Sequence, residues 1–132
     1  MIAADSSLLV KFFSKEEGWG EAKKVIEQGV VSLDLAVKEV ANALWKKVLR
    51  KELAESDAVS LILDLASGEV VKLYDQDRYL KEAFQMAVRH RITVYDALFI
   101  SLAKMENLEL ATCDRKQALS AEKEGVNVKL IE

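Results

Sequence analysis

The sequence predicts an α/β domain in which a parallel sheet is covered by helices on both faces. Short apolar segments alternate with segments of helical periodicity from one end to the other, the pattern of strand–helix–strand units. The 132 residues suffice for one domain with a real core and not comfortably for two. Proline is absent and there are only 5 glycines, so connections must be short. No repeat, low-complexity tract or composition break divides the chain.

Residues 1–4 form a first short apolar strand, and 6–13 a first helix. Glu21 to Gln28 continues helically with Ala22, Val25 and Ile26 on one face, and Gly29 stops it. "VVSLD" (30–34) is β-branched and bounded, a second strand. A long helix spans 35–51, with Val37, Val40, Ala41, Leu44, Trp45 and Val48 at helical spacing. Another covers 55–67, opened by Glu55, Ser56 and Asp57 and closed near Gly68. "VVKLY" (70–74) is a third strand, and 77–90 is helical with Leu80, Phe84 and Val88 at four-residue steps. "TVYDALFISLAKM" (93–105) is the next helix, "LELAT" (108–112) a fourth strand, 114–124 a helix, and "NVKLI" (127–131) the last strand. In such open sheets ligands bind outside the carboxyl ends of the strands, near a topological switch point.

Composition excludes several function classes. With 51% apolar and 31% charged residues the chain is globular, not disordered. A net charge of −3 gives no global attraction to nucleic acid, so a polyanion needs a local basic patch or bound cations. Cys113 stands alone, which rules out an intramolecular disulfide and suits a reducing interior. No apolar stretch approaches the ~20 residues of a membrane span, and the N-terminus lacks a signal peptide's features, so the expected location is cytoplasmic. There is no glycine-rich loop for P-loop nucleotide hydrolysis.

The carboxylates carry the chemistry. Asp5 and Asp114 each follow a strand directly, where an aspartate caps the next helix or faces a ligand at the sheet's edge. Asp96 sits at the third helical position after Thr93, a capping-box-like arrangement. It also shares a helix face with Phe99, Ile100 and Ala103, which should point to the sheet. Glu39 stands three residues before Asn42, with Val40, Ala41 and Ala43 around them. Carboxylates at a core's rim are costly unless something pairs with them. If the first and fourth strands are neighbours, all four acids converge on one cleft, and they cannot all stay ionised without compensation. Oxygen-only ligation, without histidine or cysteine, is what Mg²⁺ or Mn²⁺ prefers. Such cations serve phosphodiester hydrolysis. On these grounds capping and ligation both remain open.

"AADSSLLVKFF", "DLAVKEVANALWK", "TVYDALFISLAK" and "LATCD" resemble the four motifs of PIN-domain ribonucleases, above all the VapC-type toxins of prokaryotic toxin–antitoxin pairs. The motifs occur in the family's order, from residue 3 to residue 114. The resemblance implies one three-layer α/β/α domain over residues 1–132 with a five-stranded parallel sheet. It implies a Mg²⁺- or Mn²⁺-dependent endoribonuclease whose activated water attacks phosphorus in line, leaving a 5′-phosphate and a 3′-hydroxyl. Asp5, Glu39, Asp96 and Asp114 would be the acidic quartet, with Asp5 and Asp96 ligating the metal directly or through water. Glu39 and Asp114 would complete the shell, orienting water or holding a second cation. Ser7 and Thr112 match supporting hydroxyls, and Asn42 would steady Glu39 by hydrogen bonding. Where some relatives carry a further acid after the last aspartate, this chain has Lys116 and Gln117, which puts a second metal in doubt. The resemblance also implies a homodimer and a small antitoxin protein, which would cross a groove and present an arginine to the acidic pocket.

The remaining features have structural readings. His90 lacks a serine or cysteine partner and suits a surface or helix end, and Cys113 suits a buried small residue. Lys46, Lys47, Arg50 and Lys51 form the densest cationic patch, either a solvated face or a hold on RNA phosphates, and Arg89 with Arg91 forms a smaller one. Phe12, Phe13, Trp19 and Trp45 belong mostly to the core, with any surplus marking a partner interface. Two alternatives stand beside the nuclease. A non-catalytic PIN-like module that binds RNA or protein would be expected to have lost a quartet member. A receiver-like phosphoacceptor domain would need an acidic pair after the first strand, where Asp5 is followed by Ser6.

Overall fold

The apolar segments pair as one all-parallel sheet in a computed structural model that describes residues 1–132. Its strands are β1 (Ile2–Ala4), β2 (Val30–Leu33), β3 (Lys72–Tyr74), β4 (Leu110–Thr112) and β5 (Val128–Leu130), in the order β3-β2-β1-β4-β5. Ala3 stands opposite Val31 on one side and Leu110 on the other, so β1 is central. The chain winds outward from β1 through β2 to β3, then returns to β1's other side for β4 and β5. The direction of winding reverses between β1 and β4, and a crevice opens at that point outside the strands' carboxyl ends. Asp5 leaves β1 there, and Asp114 leaves β4.

The connections are helical: α1 (Ser6–Phe13), α2 (Trp19–Glu27), α3 (Leu35–Leu49), α4 (Glu55–Ala66), α5 (Leu80–His90), α6 (Val94–Met105) and α7 (Arg115–Lys123). They form two packed groups, α1 with α2 and α3, extended by α4 on α3, and α6 with α5 and α7. Both groups rest on the sheet, α1 on β1 and β4, α6 on β1, β2 and β4. Residues Ala97 to Ala103 of α6 are buried without interruption, because sheet and neighbouring helices enclose that helix. No helix is long and apolar enough to cross a membrane.

Chain stops follow local chemistry. Gly29 takes φ +93°, as a residue just past a helix end often must. The expected helix 35–51 ends at Leu49, and Lys51 adopts the left-handed conformation in glycine's stead. The Glu52 amide then donates to the Lys47 carbonyl at 2.9 Å and the Lys51 amide to that of Val48 at 3.0 Å, closing a Schellman motif.

Two expectations need correction. The helix expected over 77–90 begins as a 3₁₀ turn, Gln76–Tyr79, before α5 proper. Its buried face is Ala83, Met86 and Ala87, whereas Leu80, Phe84 and Val88 lie on the surface. Small residues let α5 approach α6 closely, and this rotates the large apolar stripe outward. Among the aromatics, Phe13 is buried, but Trp45 is mostly exposed and Trp19 partly so.

Candidate functional site

Asp5 sits at the centre of the site. It is 4% exposed, and both carboxylate oxygens accept hydrogen bonds. Oδ1 accepts from Ser7 Oγ at 2.6 Å and from the Leu8 amide at 3.2 Å, and Oδ2 accepts from Thr112 Oγ1 at 2.5 Å. The two hydroxyls accept in turn, Ser7 from the Cys113 amide at 2.9 Å and Thr112 from the Asp114 amide at 3.0 Å. Helix capping and site building are thus the same contacts here: the Leu8 bond caps α1, and the hydroxyls tie that cap to the end of β4.

Burial raises the Asp5 carboxyl to about 6. Ser7, Thr112 and the Leu8 amide pull it down, and nearby Asp114 pushes it further up. Glu39, in the second turn of α3, is also raised, first by burial, against the Ser6 hydroxyl, then by Asp96 and Asp5. Burial raises Asp96 as well, followed by Asp114, with Thr93 opposing. Asp5, Glu39 and Asp96 are thus each raised in part by another member of the quartet, and all four acids line a cleft of about 510 Å³ with Ser6, Ser7, Lys11, Glu16 and Cys113.

The caps hold Asp96 and Asp114 in place. Thr93 Oγ1 accepts from the Asp96 amide at 3.1 Å, but the Thr93 amide donates no hydrogen bond back to the Asp96 carboxylate. The carboxylate instead lines the cleft. Asp114 Oδ1 accepts the Lys116 amide at 2.8 Å and heads α7.

The donor set fits a hard divalent cation. It consists of carboxylate and hydroxyl oxygen beside the Cys113 thiol, without histidine. The Ser6 hydroxyl stands close enough to Glu39 to lower its carboxyl, yet neither Ser6 Oγ nor Glu39 Oε1 completes a well-formed hydrogen bond, and both are buried. A buried, unpartnered carboxylate oxygen beside two other raised acids is stabilised by a cation or a proton. No three of the acids converge tightly enough to cage an ion by side chains alone. Mg²⁺ characteristically keeps several waters and takes only one or two carboxylates, so a looser rim suits it.

Asn42 does not steady Glu39. It is exposed one turn beyond, no hydrogen bond joins the two, and Glu39 Oε1 stays unpartnered. Lys47 is held elsewhere, its Nζ donating to the Ser14 carbonyl at 2.7 Å, which fastens α3 to the end of α1. Lys46, Arg50 and Lys51 are exposed but outside the cleft. They lie at least about 10 Å beyond Glu39 along the chain's helical rise. Arg89 and His90 bind Glu124, so the small arginine patch is half committed and His90 takes a helix-end role.

Three contributors escape sequence reasoning. Ser6 is the hydroxyl beside Glu39. Gln117, buried, donates through Nε2 to the Asp96 carbonyl at 2.8 Å and so fastens the starts of α6 and α7 together. Lys11 lines the cleft, and its spacing of four from Ser7 on one helix face was the available signal.

A family model described as PIN domain matches residues 2–123. Ribonuclease VapC3 of Pyrobaculum aerophilum is 34% identical over 120 residues, covering 89% of this chain and 92% of that one. The crystal structure of PAE2754 from Pyrobaculum aerophilum superposes with a TM-score of 0.72 at 24% identity, covering 96% of this chain and 89% of that one. At that identity the last likeness concerns the fold alone.

Proposed function

The chain belongs to the PIN-domain family, and from that premise we propose that it is a metal-dependent endoribonuclease, the toxin of a VapBC-type pair, formed as one domain over residues 1–132. The observation that carries this reading is the single cleft in which Asp5, Glu39, Asp96 and Asp114 meet beside an unpartnered Glu39 oxygen. A non-catalytic module has no need to keep mutually destabilising acids together.

Asp5, Asp96 and Asp114 are the groups that would hold Mg²⁺ or Mn²⁺, one or two of them directly and the others through water, with Glu39 completing the shell. When bound, the cation supplies Lewis acidity to a phosphodiester and its attacking water. The chain's own residues do the rest. Ser7 and Thr112 hold Asp5 in one rotamer, so that its oxygens are placed before substrate arrives. Glu39, raised by burial and by its neighbours, is suited to hold a proton or orient a water. Gln117 fixes the start of α6 and hence Asp96.

The antitoxin's seat is an apolar groove of about 250 Å³ lined by Phe12, Phe13, Trp19, Leu61 and Val70. An amphipathic segment fits such a groove. A second copy of the chain would cover the α5 stripe, where Phe84 is 59% and Val88 67% exposed. Phe84→Glu is expected to convert a dimer to a monomer in light scattering while leaving the melting temperature of the monomer intact. A wild type that is already monomeric at high concentration contradicts the dimer. We place the protein in the cytoplasm, where RNA is available and the single Cys113 needs no partner.

The nuclease is tested by incubating purified, antitoxin-free protein with a mixed RNA pool in Mn²⁺, in Mg²⁺ and in EDTA, with Asp96→Asn in parallel. Cutting is expected only with metal, with 5′-phosphate ends, and not in the variant. Metal-independent cutting, or none at all, overturns the reading.

A further inference from the structure

The cleft is lined by five acids, Asp5, Glu16, Glu39, Asp96 and Asp114, against one cation, Lys11. A polyanion entering it requires positive charge at the edge. Lys11 projects from α1, and Arg115 follows Asp114 at the head of α7. Both reach a single residue two positions beyond β5. Lys11 Nζ donates to the main-chain oxygen of Glu132 at 2.9 Å, and Arg115 Nε donates to its Oε1 at 2.8 Å, joined there by Arg115 Nη2. Gly18 adjoins the same spot, where an added Cβ would stand 3.4 Å from Lys11 Nζ and 3.5 Å from the Glu132 oxygen. Two cations from separate elements thus converge on one anionic residue beside the acidic cleft.

We infer that Lys11 and Arg115 form the cleft's phosphate grip, and that Glu132 occupies this grip until an RNA backbone phosphate displaces it. The inference rests on the ribonuclease reading. Three other long cations serve the scaffold instead: Lys47 donates to Ser14, and Arg89 and Lys104 pair with Glu124. The Arg115–Glu132 pair differs from the Glu124 pairs in that both side chains are mostly exposed. An exposed pair is weak and yields readily to a phosphate that offers several acceptor oxygens. Lys11 lines the cleft and Arg115 is the chain neighbour of Asp114, which also lines it, so the grip stands at the cleft's edge, whereas the lysine-rich end of α3 has no such neighbour there.

The test measures binding of a labelled single-stranded RNA of mixed sequence in Ca²⁺ across a salt series. Wild type, Lys11→Ala, Arg115→Ala, Glu132→Gln and, as a remote cation, Lys123→Ala are compared, with Mn²⁺ cleavage of the same RNA and melting temperatures alongside. Lys11→Ala and Arg115→Ala are each expected to weaken binding several-fold and to reduce the salt slope by about 0.7. Glu132→Gln is expected to tighten binding, and Lys123→Ala to leave it unchanged. If wild type cuts RNA but the slopes of Lys11→Ala and Arg115→Ala match it, the grip is wrong and the nuclease stands. A Glu132→Gln variant that melts lower without binding more tightly marks a structural tie and overturns the gate. If wild type neither binds nor cuts, the nuclease reading fails and the grip with it.

Discussion

Asp5→Asn is expected to reduce RNA cleavage by at least about a hundredfold in a protein that, free of metal at pH 7, is more stable than wild type. The two effects share one cause. Asp5 is buried beneath the cleft with its carboxyl raised from 3.8 to about 6. Between those values the folded protein holds a proton that the unfolded chain has released, so stability falls as pH rises from about 4 to about 6. At 1.36 kcal/mol per pKa unit, the charged form costs up to about 3 kcal/mol at pH 7. Asparagine keeps an oxygen for the Leu8 amide and Ser7 but carries no charge, so it removes both the cost and the cation's ligand. Urea denaturation of the metal-free proteins at pH 4 and pH 7, beside cleavage assays, checks both halves. Equal rates, or a wild type as stable as the variant at pH 7, refutes the account.

Glu124→Gln is expected to lower stability by about 2 kcal/mol at pH 7, after allowance for the solvent around its partners. For a domain of this size the melting temperature then drops by roughly 5–10 °C. The Glu124 side chain is 6% exposed, and burial alone would raise its carboxyl. Hydrogen bonds from Lys104 (2.8 Å), Arg89 (3.0 Å) and His90 (2.5 Å) instead bring it down to about 2. The three donors stand in the last turns of α6 and α5, where the positive charge of Lys104 and Arg89 also complements the helix dipoles. The sign is opposite to that of Asp5. A depressed carboxyl contributes stability above its unfolded value of 4.5, and this is lost as pH falls towards 2. The variant should therefore differ most from wild type at neutral pH and converge with it in acid. A melting temperature within a degree of wild type at pH 7 would refute this.

The contrast between these two acids separates site from scaffold. Each is desolvated, but only Glu124 is given cations by its own chain. Asp5, Glu39 and Asp96 are raised and left facing one another. On the proposed reading, acids that destabilise one another in this way find their compensation in a bound cation.

Much of this was legible in the chain. Strand–helix alternation specified the parallel sheet, because its register and handedness leave few ways to connect such units. "DSS", "KEV", "VYD" and "TCD" marked the acids, since a residue just after a strand or in a helix's first turns projects at the sheet's carboxyl edge. What the sequence could not contain was distance. The Thr112 to Asp5 bond spans 107 positions, and its existence depends on β4 lying beside β1. Helical periodicity placed Leu80, Phe84 and Val88 on one face of α5, but whether that face turned inward was decided by the close approach of Ala83 and Ala87 to its neighbours. Likewise Lys47, Arg89 and Lys11 are alike as sequence, and only the structure distinguishes them, by holding Lys47 and Arg89 to the scaffold and setting Lys11 in the lining of the cleft. Local chemistry determined which elements form and which acids meet the edge. Packing between remote segments decided which charges are paired, because pairing depends on neighbours that no local window includes.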